Sequence, residues 1–379
     1  MKSKKEEINK YDTERRKDLD NYKKVLTNLK DYMDEINELN GFYGAHPIED
    51  GGLIKKFQGP SDLKKWASRT LSKKTLAGID GSQIVPGKKY EVPIGLGHAV
   101  CIIDNHNSNE RDLKKDTRLV TPSDFTNSGF FTSSKEFVYF IRDKIENNLA
   151  SNFIQRKIEN SYCLLDGALV LSHANRKKEE LKKRYLNNIK GLLKKSRDNK
   201  IPVIGFIETS FSRDISTMIE KIDSGPKNNN KIHDSLLLSE LLEEGERTSV
   251  FMCKRDDRSN INQKAVLADY GNFQDQIGFF YICFSKGNCC RVEFPLWCYE
   301  KGMVDDLAEL LRVEAYKGNG YLSIIEKAHN KAVLDNKDKE FFEKVVDKTV
   351  GLNKSVKETK KSLGNKNVHW RNNRNIGLR

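Results

Sequence analysis

Two short segments, Gly78-Ile79-Asp80-Gly81-Ser82 and Leu164-Leu165-Asp166-Gly167-Ala168, constrain this chain more than any others. Each closes an apolar run with an aspartate and follows it with glycine. That is the pattern of a buried strand that carries a carboxylate to a sheet edge and then turns sharply. A single Asp-Gly is ordinarily a turn and nothing more, because both residue types favour turn conformations. Two of them converge only if their strands lie side by side. Converged carboxylates repel each other unless a cation is held between them. The 379-residue chain has a net charge of +13, so a cation site framed by basic surface points to chemistry on a polyanion.

Charged residues make up 32% of the chain and hydrophobic ones 37%, which places much of the lysine on solvated surface while leaving enough apolar sequence for a core. Nucleic acid is the partner class this charge favours first, with an anionic membrane surface second. No stretch reaches the ~18 apolar residues that span a bilayer. Met1-Lys2-Ser3-Lys4-Lys5 is not followed by the apolar segment of a secretion signal. The seven cysteines include no CxxC pair, which argues against zinc ribbons and thioredoxin-like sites. Cys101, Cys163 and Cys283 read as small core residues, and an odd count without a secretion signal fits a reducing compartment. A cytoplasmic protein is expected. No P-loop and no G-x-S-x-G elbow is present, against ATP-driven motors and α/β-hydrolases.

Tyr22, Val25, Leu29, Tyr32, Ile36 and Leu39 alternate steps of three and four. They predict a helical segment over residues 1–44 that docks on its own domain or on a second copy of itself. Strands are predicted at 76–80, 92–104, 118–120, 163–170 and 202–208, with a polar loop at 105–116 and a hairpin formed by 277–285 and 289–294. Helices are predicted from Ser133 or Ser134 to Leu149, and at 175–195, 236–242, 304–313 and 322–346. Residues 225–231 read as a flexible cationic loop. The main domain then covers 45–350, and 351–379 form a basic, flexible tail. Antiparallel strands first, then strand and helix in alternation, resemble the ribonuclease H-like fold. That is an α/β architecture with a mixed sheet flanked by helices, in which the first and fourth strands are parallel neighbours.

In that arrangement the first strand carries Asp80, the fourth carries Asp166, and the helix between them contributes Glu146. Glu136 on the same helix is the alternative, and spacing does not decide between the two. His329 shares a helical face with Leu322 and Ile325. A histidine beside an apolar face is ordinarily a packed core residue. Next to two strand-end carboxylates it becomes a candidate metal ligand or proton carrier. Tyr321, just before that helix, packs or contacts a phosphate. Glu208 closes the strand at 202–208 as a further carboxylate, and Ser210, Ser212 and Arg213 behind it suit a phosphate or a helix start. Lys254-Arg255-Asp256-Asp257-Arg258 reads as a mixed-charge loop and His98 as structural.

Ile79-Asp80-Gly81-Ser82, Leu164-Leu165-Asp166-Gly167-Ala168, Val292-Glu293-Phe294-Pro295, and Gly320-Tyr321 with Ala328-His329 together resemble the successive motifs of the NurA nucleases. No single motif is specific; their order and spacing are. The resemblance runs over about residues 70–345. It implies a ribonuclease H-like core and metal-dependent cleavage of DNA with Mn²⁺ or Mg²⁺, as a 5′–3′ exonuclease with single-strand endonuclease action beside it. It also implies a ring-like homodimer and a HerA-type hexameric ATPase as partner in DNA end processing or defence. Carried over, Asp80 and Asp166 match the family's metal-binding aspartates, and Tyr321 and His329 match its late tyrosine and histidine. Glu146 matches its helix glutamate by position alone. Asp80, Glu146, Asp166 and His329 are then the expected metal ligands, and these four with Tyr321 the catalytic set. Ala168 stands where many members have serine, and Leu322 where proline is usual. A catalytically silent DNA-binding subunit and a ribonuclease are the other readings.

Overall fold

The computed structural model describes residues 2–49, 54–55, 62–87, 93–108, 110–127, 133–222, 232–260 and 262–351. Its strands are β1 (Gly44–Pro47), β2 (Ile54–Lys55), β3 (Thr75–Ile84), β4 (Gly95–Asn105), β5 (Glu110–Val120), β6 (Ser161–Asp166), β7 (Val203–Ile207), β8 (Arg247–Thr248), β9 (Phe251–Lys254), β10 (Ile277–Ser285) and β11 (Asn288–Pro295). They join one sheet in the order β1-β9-β10-β11-β7-β6-β3-β4-β5, with β8 on β10 and β2 on β8. β6 runs parallel to both β3 and β7, while β3, β4 and β5 form an antiparallel meander. The expected mixed sheet is present, with the first and fourth strands of the core as parallel neighbours.

The helices are α1 (Lys2–Thr27), α2 (Met33–Glu38), α3 (Leu63–Leu71), α4 (Pro122–Asn127), α5 (Ser134–Ile154), α6 (Glu179–Asn199), α7 (Asp214–Lys221), α8 (Asp234–Ser239), α9 (Trp297–Glu300), α10 (Val304–Lys317), α11 (Ser323–Ala332) and α12 (Asn336–Gly351). Successive side chains of a strand point to opposite faces, so each central strand feeds two cores. Ala77, Ile79 and Cys101 pack with Ile141 of α5, Ile189 of α6 and Tyr22 of α1 on one face. Leu76, Leu164 and Phe206 pack with Leu311 of α10 and Ile324 of α11 on the other. Strands covered on both faces read as continuous apolar runs, which is why they stand out in the sequence.

The structure corrects several expectations. β5 occupies much of the predicted loop at 105–116. Its residues are nearly all exposed and most are charged, so no apolar alternation marks it; pairing with β4 along its whole length makes it a strand. Charges along such an edge also discourage pairing with another sheet. The N-terminal helix does not run unbroken through its seam: α1 stops at Thr27, and the Asn28 side chain donates to the Lys24 carbonyl at 2.8 Å. Tyr22, Val25, Leu26 and Ile36 face inward nonetheless, and α1 lies against α7 and α8 of the same chain. The helix predicted over 322–346 is broken after Ala332, where Asp335 and Asp338 cap each other's backbone N–H at 2.9 and 3.0 Å and start α12. Cys283 is not a free core thiol: it lies opposite Cys289 in the β10–β11 hairpin and the two form a disulfide. The loop at 225–231 and the tail beyond 351 lie outside the described residues. Among those described, no helix is long and apolar enough to cross a membrane.

Candidate metal centre

The parallel register of β3 and β6 pairs Gly78 with Leu164 and Ile79 with Leu165. One step further, Asp80 and Asp166 leave the sheet side by side, on the face covered by α11. β6 ends at Asp166, and Gly167 departs with a φ of 149° while donating its N–H to the Phe206 carbonyl at 3.0 Å. β3 does not turn after Asp80, contrary to the sequence reading. It continues through Gly81, opposite Ala99, to Ile84, opposite Leu96. Gly81 serves a close approach instead: a Cβ there would collide with Glu146 Oε1 and come within 2.9 Å of Arg142 Cγ, both on α5.

α11 is seated on β3 for a similar reason. A Cβ on Gly78 would lie 2.5 Å from the Ile324 carbonyl oxygen. The start of α11 is held by the fully buried Glu314 of α10, which accepts the Ile324 N–H at 2.8 Å and pairs with Lys317 at 2.7 Å. With α11 so placed, His329 Nδ1 lies 2.8 Å from Asp80 Oδ2, while Asp80 Oδ1 accepts the Gly81 N–H at 2.7 Å. Tyr321, at the entrance to α11, donates its hydroxyl to Asp166 Oδ1 at 3.3 Å. Asp80, Asp166 and His329 each offer one ligand atom, all within 4.8 Å of one another.

Glu146 lies beside this trio but is not part of it; its carboxyl is 3.3 Å from Arg142 Nε. Burial, reinforced by Asp143, Asp80 and Asp166 and opposed by Arg142, pushes its pKa up to about 8. Glu136, near the other end of α5, is taken by Lys177 at 2.9 Å, so only Glu146 feels the two aspartates. Partial burial and then the Asp80 charge raise the pKa of Asp166, with Tyr321 and His329 acting in the opposite sense. Burial and the Asp166 charge in turn hold the Tyr321 hydroxyl protonated. Glu208, just past β7, adds to the negative field at both Asp166 and Tyr321.

The remaining candidates serve the framework. His98 bonds Thr117 across β4 and β5 at 2.7 Å, as a structural histidine would. Ser210 supports the Ser212 N–H at 3.3 Å, and Arg213 pairs with Glu220 at 2.5 Å. The predicted mixed-charge loop is not free either: Lys254 ends β9, and the part-buried Arg255 pairs with Asp214 at 2.6 Å. Arg255 joins Arg291, Asp214 and Glu293 in an ion cluster under α7 that sequence reasoning missed. The signal was the alternation in Arg291-Val292-Glu293, which sends two opposite charges to one interior face of β11.

The family model described as the NurA domain matches residues 74–334. Among solved structures, the NurA nuclease from Sulfolobus solfataricus is 15% identical, with a TM-score of 0.52 over 86% of this chain and 94% of that one. A second NurA crystal structure is 11% identical, with a TM-score of 0.50 over 93% of this chain and 98% of that one. A third, NurA with manganese, is 10% identical, with a TM-score of 0.44 over 86% and 97%. At these identities the first two establish a shared fold. No curated protein sequence matches the chain.

Proposed function

Because the chain belongs to the NurA family, whose domain occupies residues 74–334, we propose that it is a metal-dependent nuclease hydrolysing the phosphodiester bonds of DNA. The observation that carries this reading is the meeting of Asp80, Asp166 and His329 from two parallel strands and one helix, with ligand atoms inside 4.8 Å. Burial and then the Asp80 charge raise the pKa of Asp166, and a divalent cation held between the two carboxylates would relieve both. Oxygen ligands with one imidazole suit Mn²⁺ or Mg²⁺ better than Zn²⁺. Asp80, Asp166 and His329 would hold one or two such ions, and Glu146 would join them once deprotonated. A bound ion supplies positive charge at the scissile phosphate and lowers the pKa of its water.

The protein's own groups orient that chemistry. The Gly81 N–H and His329 fix the two oxygens of Asp80, and the Tyr321 hydroxyl fixes one oxygen of Asp166. Tyr321 is kept protonated and so keeps that bond, and the exposed His329 ring can carry a proton to or from the reacting oxygens. A net charge of +13 supports DNA as substrate, bound through its backbone with little reading of sequence.

The finer assignments are 5′–3′ exonuclease action, single-strand endonuclease action and work in end processing or defence beside a HerA-type hexameric ATPase. They rest on family membership. The exposed outer side of α1, with Glu14, Lys17, Asp20 and Lys24, is a candidate docking face for that motor. A homodimer is supported by an apolar patch in which Phe341 is 69% and Leu119 49% exposed, around a cavity of about 420 Å³.

The test is cleavage of end-labelled linear duplex and single-stranded DNA, with matched RNA competitors, in Mn²⁺, Mg²⁺ or EDTA. Wild type is expected to cut DNA only with metal, and Asp80→Ala to be inactive while folded and still binding DNA. Equal cutting by both proteins would refute the assignment.

A further inference from the structure

Asp166 is the last residue of β6, and the ladder to β3 already ends at Leu165. Beyond it stands Gly167, the most permissive residue type, at positive φ. On that side only β7 still holds the strand end, pairing Phe206 with Asp166, so the chain after Gly167 completes the hold on the ligand. That chain crosses over β7 at Gly205, where a Cβ would lie 2.6 Å from the Gly167 carbonyl oxygen and 3.1 Å from the Leu169 nitrogen. It lands on β11, two strands away from β6. There Glu293, fully buried, accepts the N–H groups of Leu169 and Val170 with one oxygen, at 2.7 and 3.0 Å. Only Gly167 and Ala168 separate the candidate ligand from these anchored amides. Tyr270 clamps the same loop, donating its hydroxyl to the Leu169 carbonyl at 2.8 Å and accepting the Leu171 N–H at 2.9 Å.

The anchor is itself held. The other oxygen of Glu293 accepts Arg291 Nε at 2.8 Å and lies 3.6 Å from Arg255. Charge-assisted bonds to buried partners are short and stiff, and a buried carboxylate keeps its place only while they are made.

We propose that Glu293 is a positioning residue, which sets the direction of the Asp166 carboxylate through the loop at 167–171. Resting on the nuclease reading above, this gives Glu293 a role outside the ligand set: groups that orient metal ligands typically change metal affinity or activity by about 10–100-fold when removed. Glu293→Gln keeps the volume and one acceptor oxygen but sets an amide N–H₂ against Arg291 or against the loop amides. Tyr270→Phe removes only the hydroxyl that holds the loop's other side. Asp234→Asn is the control: it perturbs the same buried region, where Asp234 accepts the Ile215 and Ser216 N–H groups at 3.1 and 2.9 Å, without touching the loop.

Mn²⁺ affinity by calorimetry, and kcat and KM on single-stranded DNA, are measured below the unfolding temperature of every variant. Glu293→Gln is expected to lose roughly 10–100-fold in Mn²⁺ affinity or kcat at unchanged KM. Tyr270→Phe should move the same way by less, and Asp234→Asn should match wild type. If Glu293→Gln does not fold, Tyr270→Phe against Asp234→Asn decides. A Glu293→Gln enzyme equal to wild type, or an equal loss in Asp234→Asn, overturns the role assigned to Glu293 while leaving the nuclease reading standing. A wild type that neither binds Mn²⁺ nor cuts overturns both.

Discussion

Asp143 sits one helical turn ahead of Glu146 on α5 and, among the described residues, has no ion partner to explain its burial. Burial pushes its pKa up to about 7, against weaker opposing effects from Asn188 and Arg142. An unfolded aspartate titrates near about 3.9. Between about pH 4 and 7 the unfolded chain therefore gives up a proton that the folded chain keeps, and stability falls as pH rises. The contribution is fully present below pH 4 and is lost on the way up to about 7. Asp143→Asn, uncharged throughout, is expected to melt progressively higher relative to wild type as pH goes from 5 to 8. A melting difference that does not change with pH would contradict the assignment. Nothing in the sequence marks Asp143, because a helical Asp looks the same whether solvated or buried. Asp80 and Asp166 were legible because each closes an apolar run. Gly81 was legible as important but misread: its role is room for α5, which only the packed structure shows.

At the scale of elements, legibility follows burial. β3, β6 and β7 are covered on both faces and announce themselves as apolar runs. β5 is made by its partner strand and carries no such pattern, and β1 and β9 are short strands joined by pairing far apart in sequence. α5 was found with its Ser133 cap, whose side chain accepts the Glu136 N–H. The choice between Glu136 and Glu146 was not open to spacing, since both lie on partly buried turns. In the structure Lys177 occupies Glu136, while the field of the two aspartates reaches Glu146.

For the whole molecule, the two-faced sheet explains how distant segments meet. The β3–β6 pair supplies the carboxylates, α11 brings His329 and Tyr321 from one face, and α5 brings Glu146 from the other. Family membership was legible in the order of four motifs, whereas the ion cluster behind β11 required the fold. The apolar patch between β5 and α12 is expected to be the contact in the proposed homodimer. Phe341→Glu should shift the protein from dimer to monomer in light scattering after size exclusion. An unchanged mass would remove this face as the interface.

Asp80, Asp166 and His329 are expected to act as a cation site, and titration of Mn²⁺ into the purified protein decides whether they do. Binding of one or two ions to wild type, lost in Asp80→Ala and in Asp166→Ala while both keep the wild-type circular dichroism spectrum, is the predicted result. Binding of equal affinity and stoichiometry in all three proteins would contradict it.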